Sequence, residues 1–415
     1  MMIAAATEST TGLTTESTSL NEFLALARAS GLRPLRLAGR ELIPVVQGGM
    51  GVGVSAGGLA GAVARAGGVG TISAVDLRRL HPDLMEQTAH LTKMAGSKPA
   101  IDAANLQALD REVRTARARA DGHGMIAVNV MRALSEYEAY VKQALASGAD
   151  AIVVGAGLPL DLPDLAQDYP NVALIPILSD ARGVQLVVRK WMKKGRLPDA
   201  VVIEHPRLAG GHLGAARVSD LGDRRFDFDV AIPQVRTFFA AEGIDIPLIA
   251  AGGISSHEDI VRLQALGAAA VQLGTAFAVT VESNAAPEFK RVLAEAKPED
   301  LVEFISVAGL PARAVRTPWL DKYLRIEPKL KAVAHVKGLC NMAFDCLAHC
   351  GLRDGKGEMG QFCIDKQLGH AFDGDTHKGL FFRGAGQLPF GSEIRPVRDL
   401  LQRLLGRGDA LPAGA

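Results

Sequence analysis

Eight short apolar, β-branched runs recur along the chain from residue 43 onward. They are IPVVQ (43–47), GVGTISA (68–74), MIAVNV (125–130), DAIVVGA (150–156), ALIPILS (173–179), DAVVIE (199–204), IPLIAAGG (246–253) and AAVQLGTAF (269–277). A run that is apolar at every position, not at alternate ones, suits a strand buried on both faces, as parallel sheets require. Helical patterns fill the intervals, at 57–66, 103–118, 136–147, 181–194, 231–242 and 256–266. Alternation of strand and helix through eight units predicts an α/β fold, a (β/α)8 TIM barrel. The competing doubly wound sheet carries G-x-G-x-x-G between its first strand and helix, with an acidic residue further on. The glycine-rich GGMGVGVSAGG (48–58) is followed by no clean fingerprint with its acidic partner.

Composition narrows the function classes. Of 415 residues, 48% are hydrophobic and 22% charged, with a net charge of +1, which offers no basic surface for nucleic acid. Aromatics make up only 5%, too few for a base-stacking platform. No apolar run approaches the roughly 20 residues that span a bilayer, so no membrane partner is expected. The opening MMIAAATESTTGLTTESTSL lacks a positive region ahead of a long apolar core, which predicts a cytoplasmic protein. Residues 1–35 read as a disordered or partly helical lead-in, 36–300 as the barrel, and 301–415 as a C-terminal extension packed on it. Within the extension, 321–337 and EIRPVRDLLQRLLG read as helices. No sequence feature assigns an oligomeric state.

In a (β/α)8 barrel the active site lies at the C-terminal ends of the strands, and phosphate is commonly held after strands seven and eight. Those two ends here carry AAGGISS and QLGTAF, each a glycine turn before a helix, where bare N–H groups suit a phosphate. Asn129, ending the third strand, could bond a planar heterocycle as donor and acceptor together, or simply cap a turn. His212 follows the sixth strand behind two glycines in EHPRLAGGHLGA. At that face it can act as proton acceptor or donor beside a cofactor, although an isolated loop histidine would usually do nothing. Glu204 and His205 sit nearer the strand end, where either could contact a cofactor or merely pack.

Cys340, Cys346, Cys350 and Cys363 are all the cysteines of the chain, spaced C-x5-C-x3-C-x12-C with His349 beside the third. Four thiolates in so short a stretch could hold zinc or an iron–sulfur cluster. The spacing matches neither paired C-x2-C knuckles nor the common ferredoxin runs, and buried thiols also serve as apolar packing. No metal site is therefore assigned from the sequence.

Taken together, PVVQGGMG, IAVNV, GADAIVVGAGLP, LAGGHLG, PLIAAGGI, VQLGTAF and ESNAAPEFK resemble the successive motifs of the FMN-dependent nitronate monooxygenases, formerly called 2-nitropropane dioxygenases, over about residues 40–320. The resemblance implies FMN in the barrel, with Asn129 on the isoalloxazine ring and Gly49 and Met50 near its face. It places Gly210 beside the ring, and Gly253, Gln272, Leu273, Gly274 and Thr275 around the ribityl phosphate. His212 takes the catalytic position. Many members carry Glu before AGGH where this chain has Leu208, so either Glu204 or His205 would take the flavin contact, and His205 is the candidate.

The implied reaction is oxidation of a small alkyl nitronate with O2 to a carbonyl compound and nitrite. His212 would take the α-proton of a neutral nitroalkane, or, if protonated, hold the nitronate charge. The same flavin-barrel superfamily holds enoyl-acyl-carrier-protein and quinone reductases, in which NAD(P)H reduces FMN. A third reading is a flavin- or metal-binding accessory subunit.

Overall fold

The structure, a computed structural model, describes residues 20–335, 340–342 and 345–407. Residues 1–19 of the expected lead-in lie outside this range, as do 336–339 and the C-terminal 408–415.

Eight parallel strands close into a barrel: β1 Val45–Gln47, β2 Val69–Ser73, β3 Met125–Met131, β4 Ala151–Gly155, β5 Ala173–Leu178, β6 Val201–Glu204, β7 Leu248–Ala251 and β8 Ala270–Leu273. Each falls within or beside one of the eight apolar runs. The reason is visible in the alternation of side chains. Val46, Val69, Ala127, Val153, Ile175, Val202 and Ile249 fill the barrel interior. Their neighbours Val45, Ile72, Val128, Ile152, Leu174, Ile203 and Ala250 face the surrounding helices. Both faces exclude water, so every position is apolar.

Two details shape the ends of the barrel. A hairpin of Leu35–Leu37 and Arg40–Leu42 adds Leu35, Leu37 and Leu42 to the interior cluster, plugging the end where the strands begin. At the seam between β1 and β2, only Val46 and Val69 pair through the backbone. There the Gln47 amide replaces the ladder, accepting from the Thr71 N–H at 2.9 Å and donating to the Thr71 carbonyl at 3.0 Å.

The helices follow the predicted intervals, with two longer than expected. Helix Lys98–Ala120 starts earlier because Pro99 suits the first turn, where no N–H bond is lost. Helix Phe228–Glu242 starts at Phe228 instead of 231. The C-terminal helices run Pro318–Ala332 and Val397–Leu404, both shorter than the sequence suggested.

One element had no sequence signal. Strands Leu301–Ile305 and Pro311–Val315 form an antiparallel hairpin, and its inner strand also pairs with Gly211–His212. Ala312 lies opposite His212, and Arg313 opposite Gly211. The chain after residue 300 thus enters the barrel mouth and builds part of it. Helix Val397–Leu404 then returns to the outside, burying Val397, Leu400, Leu401 and Leu404.

Candidate active site

A cavity of about 810 Å³ opens at the C-terminal ends of the strands. Its floor is the last inward-facing layer of the barrel, including Ser73, Asn129, Gly155, Glu204, Ala251 and Gln272. Its roof comes from the extension, through Leu310, Phe382, Arg383 and the 384–388 segment.

Of the residues singled out in the sequence, Gly49, Met50, Asn129, Gly210, His212, Gly253, Gln272, Leu273, Gly274 and Thr275 all line this one cavity. His205 does not. Side chains alternate along β6, so Glu204 points inward and His205 outward. His205 is 3% exposed, sits edge-on to Phe228, and places Nε2 3.2 Å from Asp227. The cavity-facing position belongs to Glu204, which lies opposite Ala251 on β7.

The cavity has two chemically distinct regions. In the first, the Asn129 Nδ2 donates to the Val153 carbonyl at 3.3 Å, while Oδ1 and the Gln272 amide make no hydrogen bond among the described residues. Such unspent amide groups on an apolar floor suit the polar edge of a planar heterocycle. Gly49 is required here, because a Cβ on it would stand 2.4 Å from the Asn129 Cβ.

In the second region, Gly252 and Gly253 follow β7 with φ of +109° and +72°. A Cβ on Gly253 would meet Leu208 at 2.8 Å. Leu208 packs on this turn. The Gly384 N–H donates to Thr275 Oγ1 at 3.1 Å, which brings Arg383 close to the same end. Arg383 is 5% exposed, with Nε on the Leu293 carbonyl and Nη1 on those of Gly384 and Gly386. Nη2 has no hydrogen-bond partner, and no carboxylate pairs with this guanidinium, among the described residues. A desolvated arginine held by carbonyls alone is a counter-charge awaiting an anion such as a phosphate.

His212 is fixed from the extension. Its Nε2 lies 2.9 Å from the hydroxyl of Ser306, a fully buried residue, and its ring stands 5.7 Å from that of Phe382. Ser306 Oγ already accepts the Ala308 N–H at 3.2 Å. The hydroxyl can donate to Nε2, leaving Nδ1 as the protonated nitrogen, or accept from Nε2–H with its second lone pair. Arg313, 2% exposed, bonds the Pro206 carbonyl at 3.3 Å and the Ala209 carbonyl, and pairs with Glu303. It clamps the EHPRL loop that leads to His212.

Electrostatics correct one expectation. Burial pushes the His212 pKa down to about 4. The imidazole of the free cavity is thus neutral at physiological pH, and it holds no standing positive charge for an anion. Burial also pushes Glu204 up to about 7, so its carboxyl is largely protonated below neutrality. Ser306, Arg383 and Arg313 escaped the sequence reading because each lies far along the chain from the motifs it serves. Glu204 was one alternation step from being identified.

The chain is similar to several known proteins. Two curated relatives, both described as probable nitronate monooxygenases, come from Bacillus subtilis and Staphylococcus saprophyticus. The first is 35% identical over 129 residues, 31% of this chain and 35% of the relative. The second is 34% identical over 124 residues, 29% and 33% of the two chains. The matched stretch therefore spans about a third of each relative. FabK from Thermotoga maritima superposes with a TM-score of 0.60 at 25% identity, covering 87% of this chain and 91% of that one. A nitroalkane oxidase from Streptomyces ansochromogenes shares the fold, with a TM-score of 0.60 at 21% identity over 91% and 96% of the two chains. No helix among the described residues is long and apolar enough to cross a membrane. The profile of the nitronate monooxygenase family matches residues 39–406, and the chain belongs to that family.

Proposed function

We propose that the chain binds FMN in the barrel mouth and oxidises small alkyl nitronates with O2, giving a carbonyl compound and nitrite. The observation that carries this reading is the meeting of Asn129, Gln272, His212 and Arg383 in one cavity. Asn129 and Gln272 would hold the heterocycle edge, and Arg383 with Gly253 and Thr275 would hold the phosphate. When bound, FMN supplies the one-electron chemistry between nitronate and oxygen.

The protein's own part is positional and protic. With Nε2 held by Ser306, His212 offers Nδ1 to the substrate, as a neutral N–H donor when the Ser306 hydroxyl donates to Nε2. For a neutral nitroalkane, Nδ1 takes up the α-proton in the other tautomer, whose Nε2–H donates to Ser306 Oγ, a role in which its low pKa makes it a weak base. A nitronate is already ionised and needs no such step, so the neutral, desolvated histidine suits nitronates better than nitroalkanes. Glu204 keeps the floor uncharged while it is protonated, which spares an anionic substrate from repulsion.

The test is anaerobic titration of the flavin-loaded protein with propyl-2-nitronate, NADH and NADPH. Flavin reduction by the nitronate, with little change on adding either nucleotide, is the expected result. Rapid bleaching by NADPH or NADH instead would assign an NAD(P)H-driven flavin reductase. Failure to retain any flavin would overturn both readings.

A further inference from the structure

We propose that the preferred nitronate of this site carries an uncharged alkyl or aryl tail longer than a propyl group, and that the tail lies along the ends of β4 and β5. The inference rests on the nitronate reading and specifies its substrate. The residues assigned above to the flavin come from β3 and β8, from the turns after β1, β6 and β7, and from Arg383. None comes from β4 or β5. Those two strands nevertheless end in the same cavity, and β5 pairs with β6, whose loop carries His212. A substrate held at His212 therefore has this arc of the wall free for its remaining atoms.

The arc is apolar and notched. Met131 lies opposite Gly155 in the ladder, and a Cβ on Gly155 would stand 3.2 Å from both the Cβ and the Cδ1 of Ile177. All three residues line the cavity, so β3, β4 and β5 present one row with its centre left empty by the glycine. The row crosses two interstrand spacings, about 10 Å in all. Leu134, Leu347 and Leu368 add apolar surface to the same cavity, the first two joined by a backbone bridge. At the outer end Leu158, in the loop after β4, lines the cavity and is 41% exposed. A long tail would cover this leucine, which the fold itself leaves to water. A propyl group would not reach across the row.

The charges of this side disfavour a second anionic group on the substrate. Asp76, Asp102, Glu136, Asp180, Asp345 and Asp365 line the cavity. Each is answered by a cation: Asp76 by Arg78 at 2.9 Å, Asp365 by Arg79 at 3.1 Å, Asp180 by Arg225 at 3.5 Å and Asp345 by Arg353 at 3.1 Å. Asp102 and Glu136 share Lys98. Among the described residues, Arg225 is the one cation of this side that lines the cavity, and Asp180 and Asp223 already flank it. A carboxylate on the tail would lose its water here without gaining a counter-charge. An apolar tail has no such cost and gains by leaving water.

The experiment is steady-state kinetics of the flavin-loaded protein on primary nitronates from nitroethane to 1-nitrooctane, on that of 2-phenylnitroethane, and on that of 3-nitropropanoate. The expected kcat/KM rises about fourfold per added methylene until the row is covered. The phenyl compound should exceed the ethyl one, and the carboxylate should fall roughly tenfold or more below the uncharged nitronate of similar length. A flat or falling series, with propyl-2-nitronate still oxidised, would overturn the inference and leave the nitronate reading standing. If no nitronate reduces the flavin, that reading fails and binding decides. Tertiary nitroalkanes have no α-proton, cannot react, and can be titrated by calorimetry. Affinity that rises with tail length, with an increasingly negative heat-capacity change, would support the tail site, and affinity independent of length would overturn it. Gly155→Leu should fill the notch and abolish the dependence on length. A folded variant that keeps that dependence would also overturn the inference, and if it does not fold the wild-type series still decide.

Discussion

His212 Nε2 and Ser306 Oγ lie 2.9 Å apart, joining an imidazole from the sixth barrel loop to a hydroxyl from the C-terminal hairpin. The barrel supplies the histidine, and the extension supplies the hydroxyl that holds its Nε2. Ser306→Ala removes that hydroxyl while leaving the cavity otherwise intact. Loss of one buried hydrogen bond costs about 1–3 kcal/mol, so kcat should fall roughly five- to a hundredfold with flavin affinity unchanged. Ser306→Thr should restore most of it. His212→Ala should lose about 10²–10⁴-fold on neutral nitroalkanes and markedly less on nitronates. Steady-state kinetics on both substrate forms reads the difference.

Glu204 gives the site a pH limit. Its pKa is raised to about 7, so the carboxyl is neutral below that value and ionises as pH rises through it. His212, lowered to about 4, stays neutral across the same range. Between these two values neither group is charged, and kcat/KM for an anionic nitronate should be flat. Above about pH 7 the Glu204 carboxylate should repel the substrate, and kcat/KM should decline. In Glu204→Gln the alkaline limb should vanish. An unchanged limb in that variant would assign it to another group.

Arg383 is expected to set cofactor affinity. It lines the cavity beside Gly384, whose N–H bonds Thr275 Oγ1. Replacing it with methionine removes one charged hydrogen-bond donor, worth about 1.5–3 kcal/mol, and should weaken FMN binding roughly ten- to a hundredfold. Riboflavin, which has no phosphate, should bind wild type and Arg383→Met equally well. Quenching of flavin fluorescence measures both.

Gly49→Ala places a methyl 2.4 Å from the Asn129 Cβ. The loop after β1 must then move off the third strand, and flavin binding should be lost. Circular dichroism should stay close to wild type, because the clash lies at the cavity rim and the barrel layers below it are untouched.

Arg313→Ala should act on stability as well as on activity. The guanidinium is buried against two loop carbonyls and Glu303. Losing it strands two loop carbonyls at a cost of about 1–3 kcal/mol, while the solvent-screened Glu303 adds little. A fall in Tm is expected together with a fall in kcat, since the clamp on residues 206–209 is what delivers His212.

The barrel could be read from the chain because local chemistry specifies it. Strands such as DAIVVGA and ALIPILS must be apolar throughout when both faces are covered, and no other common fold needs eight such runs. Glycine turns and Asn129 were legible for a similar reason, since the turns follow directly on strands and Asn129 lies near the end of one. Glu204 and His205 were not separable, because choosing between them requires the phase of a four-residue strand. Ser306, Arg313 and Arg383 left no local mark. A serine in a turn and arginines in a hairpin and a loop acquire their roles only from contacts made across the fold. The hairpin of residues 301–315 was missed because each short strand carries a charged residue at its centre, Glu303 facing solvent and Arg313 buried, which breaks the apolar run.

Pairing of Ala312 with His212 also orders events in time. Synthesis delivers all eight strands and the histidine before it delivers the hairpin that orients the ring. Proteins emerging from the ribosome fold from the N-terminal side first. A nascent barrel can therefore close around its apolar interior while its imidazole is still unplaced. On the function proposed above, chemical competence would arrive only when the hairpin is threaded into the mouth, and a half-made chain would be kept idle by its own topology.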